Sequence, residues 1–156
     1  MNKLVFFLII FVFSSAAIAE TYGNITVDKI VSVYDGDTFR CNIKDWPKIA
    51  GKNIAVRVKN IDTPEIRCKK SYSDDDCKRL KTLARTARRL TENLLKRAKV
   101  IELRNIERGK YFRLLADVYV DDKNLAEILI KNKLAVLYDG GRKSDWLKDK
   151  DKYESK

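Results

Sequence analysis

The stretch Ile54-Ala55-Val56-Arg57-Val58-Lys59 decides the fold class, because branched apolar residues occupy every second position along it. Successive side chains of a β-strand point to opposite faces, so these apolar residues share one face. Arg57 and Lys59 share the other face. The pattern predicts a strand with one core face and one cationic face.

Two strand patterns precede this stretch, over residues 25–33 and 38–43. They are joined by Tyr34-Asp35-Gly36-Asp37, in which Asp-Gly favours a tight turn. Two more strands are predicted after it, over residues 100–106 and 112–120. In the last of these strands, Phe112 is expected to face the core.

Residues 78–97 change to a helical period, with Leu and Ala recurring on one face and no Gly or Pro to interrupt them. A short helix is predicted over residues 124–132. Five short strands with a helix between the third and fourth favour an α+β fold that is mainly β. We therefore predict a five-stranded OB-fold barrel with one long helix and one or two short helices.

Composition narrows the function of this 156-residue chain, which is long enough for one sizeable domain. Lys and Arg number 33 against 22 Asp and Glu, a formal net charge of +11. Such a surplus predicts a polyanionic partner such as nucleic acid, or an anionic surface. The absence of His excludes His-based catalytic triads and His-ligated zinc sites.

The N-terminus has the pattern of a signal peptide over residues 1–19: a positive Lys3, an apolar run over 4–13 and Ala17-Ile18-Ala19 as the cleavage site. A retained N-terminal anchor is the alternative. The remaining chain divides into a predicted domain over residues 20–138 and a charged tail over 139–156, which we expect to fray. We therefore expect an exported protein, periplasmic or secreted, with no stable membrane association after cleavage.

Export would expose the three cysteines to oxidation. Cys68 and Cys77 bracket a polar segment, residues 69–76, that is typical of a surface loop, and they are one possible disulfide. Cys41 lies in a predicted strand, as a buried thiol or as the partner of either loop cysteine.

Four charged patches fall at strand ends or on strand faces that point away from the core: Asp35-Gly36-Asp37-Thr38, Arg57, Asp62-Thr63-Pro64-Glu65 and Lys110-Tyr111-Phe112-Arg113. Carboxylates from separate turns suit a hard cation such as calcium, and paired arginines suit a phosphodiester. Each patch alone also fits a hairpin turn, a helix start or a solvated arginine. Their joint appearance on successive strands favours a site.

These motifs resemble the staphylococcal-nuclease-like domain, also called thermonuclease. The resemblance runs from residue 25 to 138 through Val33-Tyr34-Asp35-Gly36-Asp37-Thr38, the segment from Val56 to Glu65, and Lys110-Tyr111-Phe112-Arg113-Leu114-Leu115-Ala116. It implies an OB barrel and calcium-dependent hydrolysis of DNA and RNA phosphodiester bonds that leaves 3′-phosphates. The chain would then act as a monomer on nucleic acid substrates.

The resemblance also implies roles for individual residues. Asp37, Asp62 and the Thr63 carbonyl would bind the metal, with Asp35 as a further acid close behind them. Glu65 would activate water, while Arg57 and Arg113 clamp the scissile phosphate. The residues that would contact neighbouring parts of the substrate are Lys110 and Tyr111, at a phosphate, and Tyr138, at a base.

Two features depart from the family pattern. Phe112 replaces the Gly that commonly precedes the second arginine, and the segment from Cys68 to Cys77 contains Asp74-Asp75-Asp76. A non-catalytic OB-fold module that binds nucleic acid is the main alternative function, but such modules should have lost carboxylates. A cationic protein that binds anionic surfaces would explain the charge but not the carboxylates.

Overall fold

A computed structural model describes residues 23–141, 143 and 145–147 of the chain. The predicted signal peptide, residues 1–19, lies outside these described residues, as does the end of the predicted tail. Within the described part, no helix has the length and apolar character needed to cross a membrane.

The described residues form eight strands: β1 (Ile25–Val33), β2 (Thr38–Ile43), β3 (Ile54–Val58), β4 (Ile61–Asp62), β5 (Ile101–Arg108), β6 (Leu114–Val120), β7 (Lys123–Asn124) and β8 (Val136–Leu137). The long strands pair in the order β3-β2-β1-β5-β6, with antiparallel neighbours. A parallel pairing of β3 with β6 closes the sheet. The predicted fold, mainly β with a five-stranded barrel, is confirmed.

Alternation along β3 sets which side chains enter the barrel. Ile54, Val56 and Val58 are buried in the core, as the sequence predicts. Arg57 lies on the opposite face and is half-buried by the segment that follows β3. The strand therefore supplies both core packing and a cation at the barrel surface.

Three helices pack outside the barrel: α1 (Lys48–Gly51), α2 (Asp74–Arg97) and α3 (Leu125–Lys131). The sequence prediction started α2 at Lys78, which is wrong by four residues. Ser73 caps the helix by accepting a hydrogen bond from the Asp76 backbone N–H at 3.2 Å. The acidic residues 74–76 suit the positive end of the helix dipole, so they belong to its first turn and not to a loop.

The fifth predicted strand also starts later than expected. Residues 110–112 form a 3₁₀ turn, and Tyr111 and Phe112 have φ of 59° and 58°. This left-handed conformation is incompatible with a strand. Phe112 is therefore 59% exposed, and the prediction that it faces the core is wrong. The Arg108 guanidinium carbon lies over its ring, 3.7 Å from the ring centroid.

The predicted tail is not frayed throughout. Trp146 is buried against Leu80 of α2 and Val136 of β8. Burying a side chain of this size strongly favours an ordered position. Residues 145–147 therefore lie against the domain, although they come after the predicted boundary at 138.

Candidate active site

The turn after β1 is held in place by α2. A Cβ atom on Gly36 would lie 2.8 Å from Thr63 Cγ2 and 2.9 Å from Ala87 Cβ, so only glycine allows this close packing. The buried Thr91 hydroxyl donates a hydrogen bond of 2.7 Å to the Gly36 carbonyl. The adjacent Asp35 accepts a hydrogen bond from the Asp37 backbone N–H at 3.2 Å. These contacts fix the position of Asp37.

Arg57 joins the two acids that the sequence predicts as metal ligands. Its Nη1 donates to Asp37 Oδ1 at 2.7 Å and its Nη2 donates to Asp62 Oδ1 at 3.1 Å. The same Nη2 also lies 3.4 Å from the Ile61 carbonyl. One guanidinium therefore holds two carboxylates from separate parts of the chain side by side.

Asp37 and Asp62 are almost fully buried, at 1% and 2% exposure. Burial, reinforced by the charge of Asp35, raises the pKa of Asp37 to about 6, although Arg57 acts in the opposite direction. Burial also raises the pKa of Asp62, against the charges of Lys143 and Arg57. Additional positive charge nearby would therefore stabilise the ionised form of both carboxylates.

Thr63 completes this corner. Its backbone N–H and its hydroxyl both donate to Asp37 Oδ2, each at 3.2 Å. The threonine is 2% exposed and follows Asp62 directly, after the short strand β4. The two acids and the Thr63 backbone thus lie together, as the sequence predicts.

Glu65 lies beside this corner and is half exposed. It forms an ion pair with Lys143, and the same Lys143 Nζ lies 3.4 Å from Asp62 Oδ1. Partial burial alone would lower the pKa of Lys143, but the hydrogen bond to Glu65 and the charge of Asp62 outweigh it and raise that pKa. Glu65 and Asp62 therefore share one lysine.

A groove of about 740 Å³ opens next to these residues. Its lining includes Asp35, Glu65, Tyr111 and Arg113, four of the residues predicted from sequence. The Nε atom of Arg113 is buried, and it has no hydrogen-bond partner among the described residues. Arg113 therefore brings a guanidinium to the groove lining, a group that suits an anionic ligand, although its Nε is shielded from solvent.

The other two predicted substrate contacts lie outside the groove lining. Lys110 is exposed in the 3₁₀ turn beside Tyr111. Tyr138 donates its hydroxyl to the Gly141 carbonyl at 2.9 Å. Its backbone N–H bonds to the Asn60 carbonyl, which places Tyr138 beside the turn before β4.

A disulfide supports the segment that follows Glu65. Cys68 and Cys77 are bonded, with their Cα atoms 5.6 Å apart, and Cys41 is a free, buried thiol. This outcome matches the first of the pairings considered from sequence. The disulfide ties the segment after Glu65 to the first turn of α2.

The donor set fits a hard divalent cation. Asp37, Asp62 and the Thr63 carbonyl offer only oxygen atoms, which calcium prefers. Among the described residues, no three acidic, His or Cys side chains form a ready metal cluster. A metal would therefore rely on the two buried acids, the backbone and groups from solvent or substrate.

Sequence reasoning missed two features of this site. Lys143 reaches Glu65 from 78 residues away, and no local pattern indicates that contact. The groove lining also includes Arg67 and Arg88, the latter from the exposed basic face of α2. A cationic helix face was visible in the sequence, but not which of its arginines reaches the groove.

Comparison with known proteins identifies a nuclease family and related endonucleases. The family model described as staphylococcal nuclease homologue matches residues 55–156. Endonuclease YncB and the SPbeta prophage-derived endonuclease YokF, both from Bacillus subtilis (strain 168), are each 34% identical over 116 residues, or 72% of this chain. The chain spans only 46% and 33% of their lengths. The family match covers more than half of the chain and includes Arg57, Asp62, Glu65, Arg113 and Lys143, whereas Asp35 and Asp37 lie before it. The chain therefore belongs to the staphylococcal nuclease homologue family.

Proposed function

We propose that this protein is an exported, monomeric, calcium-dependent endonuclease. It hydrolyses phosphodiester bonds in DNA and RNA and leaves 3′-phosphates. One observation carries the proposal: Arg57 holds two buried acids beside Glu65, while Arg113 lines the adjoining groove. The named endonucleases among its relatives support the same activity.

The two arginines would bind the non-bridging oxygens of the scissile phosphate from different sides. The planar guanidinium can donate two parallel hydrogen bonds to phosphate, and these strengthen as negative charge develops in the transition state. Arg57 is already oriented by its acids, whereas the substrate itself would orient Arg113.

Glu65 would accept a proton from the attacking water. The water oxygen bonds to phosphorus, the bond to the 5′ oxygen breaks, and solvent supplies the proton that this leaving oxygen takes up. The phosphate then remains on the 3′ side of the cut. Asp37, Asp62 and the Thr63 carbonyl would hold calcium, which when bound supplies further stabilisation of the developing charge.

The disulfide supports the proposed export. Cys68 and Cys77 are bonded near the surface, and disulfides persist in oxidising compartments but are rare in the cytosol. The +11 charge of the chain supports nucleic acid as the partner.

A cleavage assay tests the proposal directly. The purified chain is incubated with end-labelled DNA and RNA in calcium or in chelator, and products are treated with a phosphatase to detect 3′-phosphates. We expect cleavage only with calcium, and Glu65→Gln should lower turnover about a hundredfold or more. Glu127→Gln, on the exposed side of α3, is the matched control and should keep wild-type turnover.

Other outcomes would contradict the proposal. Full cleavage in chelator would exclude the calcium role, and full turnover in Glu65→Gln would exclude the assignment of Glu65. Tight binding of nucleic acid without any cleavage would instead identify a non-catalytic OB-fold module.

A further inference from the structure

The segment after the barrel docks beside Glu65 through several contacts. Trp146 is buried at 7% exposure against α2 and β8. Asp145 Oδ1 accepts a hydrogen bond from the Tyr72 hydroxyl at 2.7 Å, and its Oδ2 lies 3.7 Å from Lys69 Nζ. Tyr72 and Lys69 both belong to the disulfide-bonded segment that follows Glu65. These contacts hold the segment that carries Lys143 beside Asp62 and Glu65.

Lys143 bridges two carboxylates of different character. It pairs with Glu65, which is 51% exposed, and approaches Asp62 Oδ1, whose side chain is 2% exposed. The same oxygen of Asp62 also accepts from Arg57. Without Lys143, Asp62 and Glu65 would lack this shared counter-ion.

The two cations at Asp62 differ in how easily they can leave. Arg57 is 13% exposed and is held by Asp37, Asp62 and a backbone carbonyl. Lys143 is 48% exposed and carries its charge on a flexible stem, so it can move into water at small cost. Lys143 is therefore the exchangeable cation of this corner.

We propose that Lys143 is a resident counter-ion, paired with Glu65, that competes with the divalent metal for Asp62, so that metal binding displaces it. The inference rests on the proposed metal role of Asp62. An ammonium group beside the same oxygen repels an incoming cation and occupies one of its ligands. Its departure also frees Glu65 from an ion pair, so that the glutamate can accept a proton. Lys143 thereby sets the calcium concentration at which the site becomes active.

Calcium titration calorimetry on the full chain tests this inference. Lys143→Met should tighten calcium binding by about tenfold, because a unit positive charge next to the ligands is removed. Lys143→Arg keeps the charge and should stay near the wild-type affinity. Lys123→Met is the matched control: it removes the same charge from β7, which pairs with the end of β6 remote from Arg113.

A second measurement keeps the test independent of activity. The rise in melting temperature caused by a fixed calcium concentration should be larger in Lys143→Met than in wild type, since tighter binding to the folded state gives more stabilisation. Circular dichroism before calcium addition verifies that the variant is folded. Should the methionine variant be unfolded, Lys143→Gln serves for both measurements.

Three outcomes would overturn the inference. Calcium affinity in Lys143→Met that equals or falls below wild type excludes competition. An equal gain in Lys123→Met would make the effect one of overall charge. If neither wild type nor Lys143→Met binds calcium, the proposed metal role fails together with the inference, whereas binding by wild type with an unchanged affinity in Lys143→Met overturns the inference alone.

Discussion

The two arginines of the proposed site lie in regions that are organised in opposite ways. Arg57, on β3, donates to two buried acids and a backbone carbonyl. Arg113, just before β6, has a buried Nε without a partner among the described residues. The hydrogen bonds of the first region are made within the protein, whereas the second region keeps an unsatisfied donor.

This difference should separate effects of substitutions on folding stability from their effects on catalysis. A buried donor without a partner costs about 1 to 3 kcal/mol of stability. Buried acids held by one arginine depend on that arginine for folding as well as for catalysis. Substitutions in the two regions should therefore have different signatures.

The largest expected effect is that of Arg57→Ala, which should damage both properties. Turnover should fall about a hundredfold or more, and the free energy of unfolding should fall by roughly 3 kcal/mol because Asp37 and Asp62 lose their shared partner. Cleavage kinetics and urea unfolding at pH 7 measure the two effects. Wild-type stability in this variant would contradict the view that Arg57 supports the fold.

Arg113→Ala should give a comparable loss of turnover, about a hundredfold, with little loss of stability. Removing an unpaired buried donor should leave the free energy of unfolding within about 1 kcal/mol of wild type. The same two measurements apply, with Arg113→Lys as the variant that retains charge. If Arg113→Ala were as unstable as Arg57→Ala, the contrast between the regions would disappear.

A pH series on the metal-free protein sharpens the account of the buried region. The pKa of Asp37 is raised to about 6 from 3.8. Between about pH 4 and pH 6, the folded state therefore holds a proton on Asp37 that the unfolded state has lost. Its contribution to stability is complete below about pH 4 and is lost as the pH rises to about 6, by roughly 2 to 3 kcal/mol. Urea unfolding in chelator measures this fall, and Asp37→Asn should flatten it. An equally steep fall in Asp37→Asn would assign the effect to other groups.

The smallest effect should come from a groove arginine that is not one of the proposed catalytic residues. Arg88 lines the groove, whereas Arg85 is exposed on the same helix without lining it. Arg88→Ala should weaken DNA binding several-fold and lower the salt dependence by about one phosphate contact, with turnover at saturating DNA nearly unchanged. Arg85→Ala is the matched control. Equal losses in both variants, measured by fluorescence anisotropy across a salt series, would point to diffuse attraction instead.

The sequence allowed prediction of the barrel because its strands depend on local order, whereas the grouping of Asp37, Asp62 and Thr63 is what the family resemblance implies. Alternation along β3 places Arg57 opposite the core residues, Asp37 directly precedes β2, and Asp62 ends the short strand β4. The start of α2 was also readable, since Ser73 is a capping residue followed by acids. The apolar period itself begins only at Leu80, so periodicity alone places the start of the helix too late.

Two parts of the molecule could not be predicted from local pattern. Phe112 continues an apolar alternation with Leu114. Its backbone is left-handed, however, so strand β6 begins only at Leu114. Lys143 reaches Asp62 and Glu65 only because Trp146 finds a buried place against α2. Such contacts depend on the completed tertiary structure.

The parallel pairing of β3 with β6 also constrains when during folding the site can form. Val56 lies opposite Leu114 and Val58 opposite Ala116, so closing the barrel joins segments separated by about 60 residues. Contacts over such distances form late, because the chain must first lose the entropy of a long loop. Arg57 lies opposite Leu115 in this pairing, so the closure brings Arg57 close to the start of β6, which directly follows Arg113. Recovery of phosphate binding during refolding should therefore lag behind the formation of helix α2, and a nascent chain that ends before β6 should lack the complete groove.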